Sequence, residues 1–174
     1  MKACTFSAFL ISLLFNMHSM GSQSCLRGEL NWSFKFQDFA TQSVYNGRPA
    51  RPLLVTETDR LFRTTIRRAA QKGPNFAGQY AIVHWGCGSS CFSFVIVDVA
   101  TGRVYDRAPF GLFFVPFRGT STGRDYEGLA YKLSSRLLVL DGCAEKTQCG
   151  TYYYEWRKNR FALLRFEPLE PSKE

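Results

Sequence analysis

The chain has 174 residues, of which 45% are hydrophobic and 21% charged, and its formal net charge at pH 7 is +8. One short apolar run stands near the N-terminus and no second run follows, which excludes a membrane-embedded protein. The excess of Lys and Arg favours anionic partners, such as a phosphorylated glycolipid, a cell-wall polymer or an acidic protein, with nucleic acid the least expected. A net charge that only keeps the domain soluble is the plain alternative.

The N-terminus predicts a secretory signal peptide over residues 1–24. Lys2 is followed by an apolar run from Ala3 to Phe15 and then by small and polar residues as far as Ser24, the order that an export signal has. The run of about 13 residues is shorter than the roughly 20 that a spanning helix needs. We therefore expect residues 25–174 to form a single exported domain. Lipid attachment at Cys25 is the minority alternative, because residues 22–24 lack the pattern of a lipobox.

Residues 31–39, "NWSFKFQDF", alternate aromatic and polar positions and predict a short amphipathic strand. Residues 46–52, "NGRPARP", predict a loop. A helix is predicted over residues 57–72, because Thr56 and Asp59 have the spacing of a capping box and apolar residues then recur at helical intervals. Gly73 and Pro74 end it. Its arginines lie on the other side and are expected to be a solvated face.

The chain after the helix is aromatic and β-branched and predicts strands separated by short turns. Eight segments have this character: residues 79–85, 92–99, 103–106, 111–117, 126–133, 136–141, 151–157 and 160–166. Strands this close cannot be joined by crossover helices, so neighbours must pair antiparallel. We therefore predict an α+β fold with one N-terminal helix packed on a curved antiparallel β-meander of about seven strands.

Two cysteine pairs predict disulfide-closed hairpins. Joining Cys87 to Cys91 across a hairpin gives a register in which apolar residues meet on both faces: Trp85 opposite Ser93, His84 opposite Phe94, Val83 opposite Val95, Ile82 opposite Ile96 and Tyr80 opposite Asp98. Joining Cys143 to Cys149 likewise sets Leu140 opposite Tyr152, Leu138 opposite Tyr154 and Arg136 opposite Trp156. A strand that is apolar on both faces is covered on both sides, here by the helix on one. The sequence does not choose absolutely among the three connectivities of four cysteines.

Catalytic and metal sites find less support. A zinc site would need His84 to converge with the four cysteines, which an exported chain keeps oxidised. A cysteine nucleophile at "CGSSC" lacks a downstream histidine. We expect His84 to be a packed, hydrogen-bonded core residue, too far along the strand from Asp98 for a catalytic dyad. Asp125 and Glu127, two residues apart, are expected to be a solvated pair. We expect no metal and no cofactor.

The stretches "NFAGQY", "WGCGSSC", "VDVATGRVY" and "SRLLVLDGC…CGTYYYEW" together resemble a group of small exported bacterial proteins that carry no assigned biochemical role. The resemblance covers about residues 75–156 and implies a periplasmic or secreted location. A looser similarity is to the periplasmic lysozyme inhibitors, whose inhibitory loop is also tied by a disulfide. This chain departs from them, because a basic inhibitor would be repelled by a basic lysozyme.

We therefore expect an exported, non-catalytic binding protein of the bacterial envelope that recognises an anionic ligand or acidic partner. The alternative is a small exported hydrolase that uses His84 or the pair Asp125 and Glu127. Loops on rigid strands are the usual sites of recognition. Two loops are candidates, through the backbone of Gly88, Ser89 and Ser90 and through the side chains of Arg118, Thr120, Ser121, Thr122 and Arg124. Ordinary solvated turns are the plain alternative for both loops.

Overall fold

The computed structural model describes residues 33–88, 90–105, 113–114, 128–144 and 148–169. Within these ranges the chain forms a short 3₁₀ helix, two α-helices and eight strands. The helices are the 3₁₀ helix Phe36–Phe39, α1 (Glu57–Leu61) and α2 (Arg63–Gln71). The strands are β1 (Tyr80–Gly88), β2 (Cys91–Asp98), β3 (Val104–Tyr105), β4 (Phe113–Phe114), β5 (Leu129–Tyr131), β6 (Leu137–Ala144), β7 (Gln148–Arg157) and β8 (Arg160–Pro168). Each of the eight predicted strand segments thus contains a strand.

The predicted capping box begins α1. The side chain of Thr56 accepts a hydrogen bond from the Asp59 backbone, and the Asp59 carboxylate accepts one from the backbone N–H of Thr56. The predicted helix is, however, two helices that meet at Phe62. Phe62 leaves helical geometry (φ −95°, ψ 19°), and its ring stacks on Trp85 with centroids 4.2 Å apart. This tertiary contact accompanies the interruption, which the apolar periodicity did not predict.

The strands form one antiparallel sheet in the order β1-β2-β4-β6-β7-β8, with β3 beside β2 and β5 beside β6. The antiparallel pairing is confirmed. The number of strands and their order differ from a simple meander of about seven. β4 pairs with the start of β2 and the end of β6, whereas β3 and β5 pair separately with the opposite ends of those strands. With two and three residues, β3 and β5 are short additions beside the long strands.

The register predicted from apolar pairing is confirmed. All five predicted pairs of β1 and β2 are found, as are Leu140 with Tyr152 and Leu138 with Tyr154. Immediately before the start of β6, the carbonyl of Arg136 accepts a hydrogen bond from the Trp156 backbone N–H. A β-bulge between Gly86 and Gly88 shifts the register at the tip, so that Gly88 rather than Cys87 lies opposite Cys91.

Buried residues pack on both faces of the sheet. On one face an aromatic core includes Phe94, Phe113, Tyr154 and Trp156. Trp156 of β7 contacts Tyr80 of β1 at 5.3 Å between ring centroids, although three strands separate β1 and β7 in the sheet order, so the sheet curves around this core. On the other face, Ile66 and Ala70 of α2 pack on valines of β1 and β2.

The strand predicted over residues 31–39 is wrong where the structure describes it, from Ser33 onward. Residues Phe36–Phe39 form the 3₁₀ helix instead. The ring of Phe34 contacts Phe39 and Tyr153 at 5.8 and 5.3 Å, so the aromatic residues of this segment cover β7. The aromatic residues of this segment can thus be covered by the sheet from a short helix as well as from the strand that their spacing predicted.

Residues 40–55, which we call the strap, run along one end of the sheet without forming a strand. Backbone N–H groups of Thr41, Tyr45 and Leu53 donate to the carbonyls of Ser134, Gly78 and Gly102 at 2.8 to 2.9 Å. Gly78 and Gly102 have φ of +75° and +77°, and a Cβ at either position would overlap a strap carbonyl. The close approach of the strap therefore requires glycine at both turns.

Candidate anion-binding surface

The two predicted cysteine pairs lie at disulfide distance at one end of the sheet. Cys87 and Cys91 have Cα atoms 5.2 Å apart, and those of Cys143 and Cys149 are 3.9 Å apart. β4 brings the two pairs together, because Phe114 pairs with both Cys91 and Cys143. We call this end of the sheet the disulfide end. Such pairs fit an oxidising compartment and are consistent with an extracellular location. Among the described residues, no helix is long and apolar enough to cross a membrane.

Part of the predicted binding site can be located. Gly88 and Ser90 lie at the exposed tip of the first hairpin, both with positive φ. The rest of the predicted site lies outside the described residues, namely Ser89, Arg118, Thr120, Ser121, Thr122 and Arg124. The binding role of both loops therefore remains a prediction.

His84 is exposed, so its predicted place in the core is wrong. β1 is an edge strand whose buried part ends at Val83, and the His84 side chain extends beyond the core. Asp98 pairs with Tyr80, four residues from His84, as predicted. The described residues contain no group of three or more His, Cys, Asp or Glu side chains that could hold a metal ion. Asp125 and Glu127 lie outside the described residues.

The opposite end of the sheet carries a concentration of cations. Contacts between distant segments bring the turns after β2, β5 and β7 together at this end, away from the disulfides. The strap hydrogen-bonds to Gly102 and Ser134 in the first two turns, and Tyr80 hydrogen-bonds to Asn159 in the third. We call this the basic end and define it by Arg103, Lys132, Arg136, Arg157, Lys158 and Arg160. Arg103 lies over the ring of Tyr105 and Lys132 over that of Phe36, at 5.2 and 5.0 Å. Arg157, Lys158 and Arg160 occupy the exposed tip of the β7–β8 hairpin.

The tip of the β7–β8 hairpin is a tight two-residue turn. Lys158 and Asn159 both have positive φ, 50° and 60°, which is the backbone of a type I′ hairpin turn. The hydroxyl of Tyr80 donates to Oδ1 of Asn159 at 2.8 Å and ties the tip to β1. Burial raises the pKa of Tyr80, so this hydroxyl keeps its proton at neutral pH. Three cations are thus held on a short, braced turn.

The carboxylates of the described residues are mostly engaged within the fold. Asp59 caps α1, and Asp98 accepts from Gln79 and from the turn that follows β2. Glu155 pairs with Arg136 at 3.2 Å, and Glu167 with Arg165 at 3.2 Å. Among the described residues these are the two ion pairs. The other arginines and lysines of the basic end therefore have no described carboxylate partner, and their side chains are exposed.

A groove of about 490 Å³ opens at the basic end between the strap and two turns. Polar and apolar atoms contribute about equally to its lining, which is formed by Thr41, Gln42, Ser43, Val44, Tyr45, Asn46, Ala77, Gln79, Tyr80 and Arg136. Arg136 reaches it from the start of β6, and Tyr80 joins it to the hairpin tip. Hydroxyl and amide groups with one guanidinium at the wall suit the binding of a polar anion.

The sequence prediction placed binding at the two loops and missed this surface. The signal was present in "RKNR", residues 157–160, and in the arginines beside the turns after β2 and β5. Counting alternate turns would not have assigned these residues to one end, because the turns after β2, β5 and β7 are the second, fifth and seventh of the chain. The contribution of the strap had no sequence signal, since "TQSVYN" has neither periodicity nor a motif.

Comparisons with protein-family models, with curated proteins and with solved structures find no match to this chain.

Proposed function

We propose that the protein is an exported, non-catalytic binding protein of the bacterial envelope, and that it recognises an anionic envelope component or an acidic partner through the basic end. The observation that carries this proposal is the contrast between carboxylates engaged in the fold and cations left facing solvent at one end of the sheet. Charges fixed on a braced hairpin bind with a smaller loss of conformational entropy than charges on a mobile segment.

Export is part of the proposal. It is supported by the signal-like residues 1–24 and by two cysteine pairs at disulfide distance. Expression with the natural N-terminus, followed by cell fractionation and mass spectrometry, should recover a processed chain with four oxidised cysteines outside the cytoplasm. Recovery of the full-length chain in the cytoplasm with free thiols would contradict it.

Binding is tested with fluorescently labelled polyphosphate as the anionic probe, followed by anisotropy over a range of salt concentrations. In the tip variant, Arg157, Lys158 and Arg160 are replaced by glutamine. At about 1 kcal/mol for each cation near an anionic surface, the variant should bind about 100-fold more weakly at low salt. Salt should weaken binding of the unmodified protein more steeply than binding of the variant.

The matched control replaces Arg60, Arg63 and Arg68 of the helices, which are also exposed, by glutamine. The change in net charge is the same, so a general attraction to polyanions would decrease equally in both variants. Equal losses would refute a site at the basic end. A third variant, Arg118→Gln with Arg124→Gln, tests the loop predicted from the sequence, and a loss confined to it would move the site there.

A further inference from the structure

The strap lines one wall of the groove with several polar side chains. Gln42, Ser43 and Asn46 are exposed, and none of their side chains hydrogen-bonds to a described residue. The strap backbone is fixed at Thr41 and Tyr45, whose N–H groups donate hydrogen bonds to the turns on either side. The backbone that carries these hydroxyl and amide groups therefore keeps a defined position along one wall of the groove.

The hydrogen-bonding character of this wall restricts the ligand. Hydroxyl and carboxamide groups both donate and accept hydrogen bonds, whereas a phosphate or carboxylate oxygen only accepts. A polyanion without hydroxyl groups would leave the acceptors of the wall bonded to water, because Gln42, Ser43 and Asn46 are exposed. A ligand with several hydroxyl groups would satisfy both kinds of group.

Arg136 is oriented before any ligand arrives. Its Nε and one terminal nitrogen donate to Oε1 of Glu155 at 3.3 and 3.2 Å, and the other terminal nitrogen donates to the carbonyl of Ala40 at 2.6 Å. A guanidinium has five N–H donors, so each terminal nitrogen keeps one for a ligand. The side chain is 37% exposed. An anionic oxygen in the groove would therefore meet N–H donors whose position is fixed, on a guanidinium that is already paired with Glu155.

The dimensions fit one or two units of a chain rather than a buried small molecule. The groove volume of about 490 Å³ lies within the range of about 300–1,000 Å³ for ligand sites, and the groove is open to solvent. Tyr80, which lines the groove, hydrogen-bonds to Asn159 of the hairpin tip, so the cations of the tip are close to the groove. A polymer could place one hydroxylated unit in the groove and neighbouring anionic groups at the tip.

We infer that the groove binds a hydroxylated, acidic sugar unit of an anionic polysaccharide, with the acidic group at Arg136 and the sugar hydroxyls along Gln42, Ser43 and Asn46. This inference rests on the proposed function, since it names the ligand class of the basic end. An acidic protein is the competing class, and it would use the cations of the tip without the polar wall.

The test compares two carboxylate polymers of similar length, polygalacturonate and poly-L-glutamate, by isothermal titration calorimetry. Both carry one carboxylate for each unit, but only polygalacturonate carries hydroxyl groups on each unit. We expect polygalacturonate to bind at least tenfold more tightly. Replacing Gln42, Ser43 and Asn46 together by alanine should remove this preference and leave the affinity for poly-L-glutamate unchanged.

The matched control replaces Thr64, Thr65 and Gln71, three exposed polar residues of α2, by alanine, and it should keep the preference. Equal affinity for the two polymers, or tighter binding of poly-L-glutamate, would overturn the sugar assignment while the proposed anion binding stands. A preference that survives in the strap variant would place the sugar elsewhere and also overturn it. Failure of both polymers and of polyphosphate to bind would overturn the proposed function itself.

Discussion

Replacing Gly78 by alanine should destabilise the protein more than the same change at Gly73, because the strap contacts Gly78 and does not contact Gly73. Both glycines have positive φ, +75° and +91°. Alanine in this conformation costs about 1–2 kcal/mol, of which about 0.4–1 kcal/mol is offset by the reduced entropy of the unfolded chain. Nothing lies within 4 Å of a Cβ built at Gly73. The Gly73→Ala variant should therefore lose about 1 kcal/mol.

At Gly78 the added Cβ would overlap the carbonyl oxygen of Ser43. The strap must move, which breaks the hydrogen bond of 2.8 Å from the Tyr45 N–H to the Gly78 carbonyl, at a cost of about 1 kcal/mol. Tyr45 also packs against the core beneath α2, so its displacement adds to this loss. We expect Gly78→Ala to lower the free energy of unfolding by about 2–3 kcal/mol. Urea denaturation with the disulfides intact measures both variants, and equal losses would refute the close contact of strap and turn.

Three further predictions concern stability. Burial raises the pKa of Tyr153 and Tyr154, so ionisation of these phenols favours the unfolded chain. The free energy of unfolding should be constant below about pH 10 and decrease above it. Absorbance at 295 nm should show these phenols ionising only as the protein unfolds. Replacing either cysteine pair by serine should lower the free energy of unfolding by about 2 kcal/mol, and an unchanged urea midpoint would argue against that bridge. The Asn75 side chain donates a hydrogen bond to the Ile82 carbonyl at 3.1 Å and accepts one from the Ile82 N–H at 2.8 Å. Asn75→Ala should therefore lower the free energy of unfolding by about 2 kcal/mol. A decrease below about 0.5 kcal/mol would show that water replaces both bonds.

The strand register was predictable because side chains alternate between the two faces of a strand. A shift of one residue between β1 and β2 would have moved Ile82 and Val83 onto the wrong faces, where their neighbours could not bury them. The same logic applied to Leu138 and Leu140 of β6. Cys143 and Cys149 lie opposite each other in the predicted register, whereas the bulge at the first tip offsets Cys87 from Cys91 by one residue.

The elements that were missed depend on contacts between distant segments. The interruption at Phe62 accompanies the stacking on Trp85, more than twenty residues later in the chain. The aromatic spacing of Phe34 and Phe36 fits an amphipathic strand as well as a short helix, and the approach to Tyr153 selects the helix. The exposure of His84 follows from β1 being an edge strand, which no property of residues 79–88 indicates.

The position of the basic residues at one end of the sheet is set by the fold and cannot be read from the composition. The excess of basic residues is a property of the whole chain, but the fold uses carboxylates such as Asp59 and Asp98 as caps of a helix and a turn. The strap contacts the turns after β2 and β5, and Tyr80 contacts the turn after β7, so the basic turns lie together and the disulfides lie at the other end. The described residues that flank the predicted loop, Phe114 and Gly128, contact Cys143 and Asp141 at that other end. Charge removal at the hairpin tip and at Arg118 and Arg124 therefore tests two separate hypotheses, and loss of binding in one variant alone would decide between them.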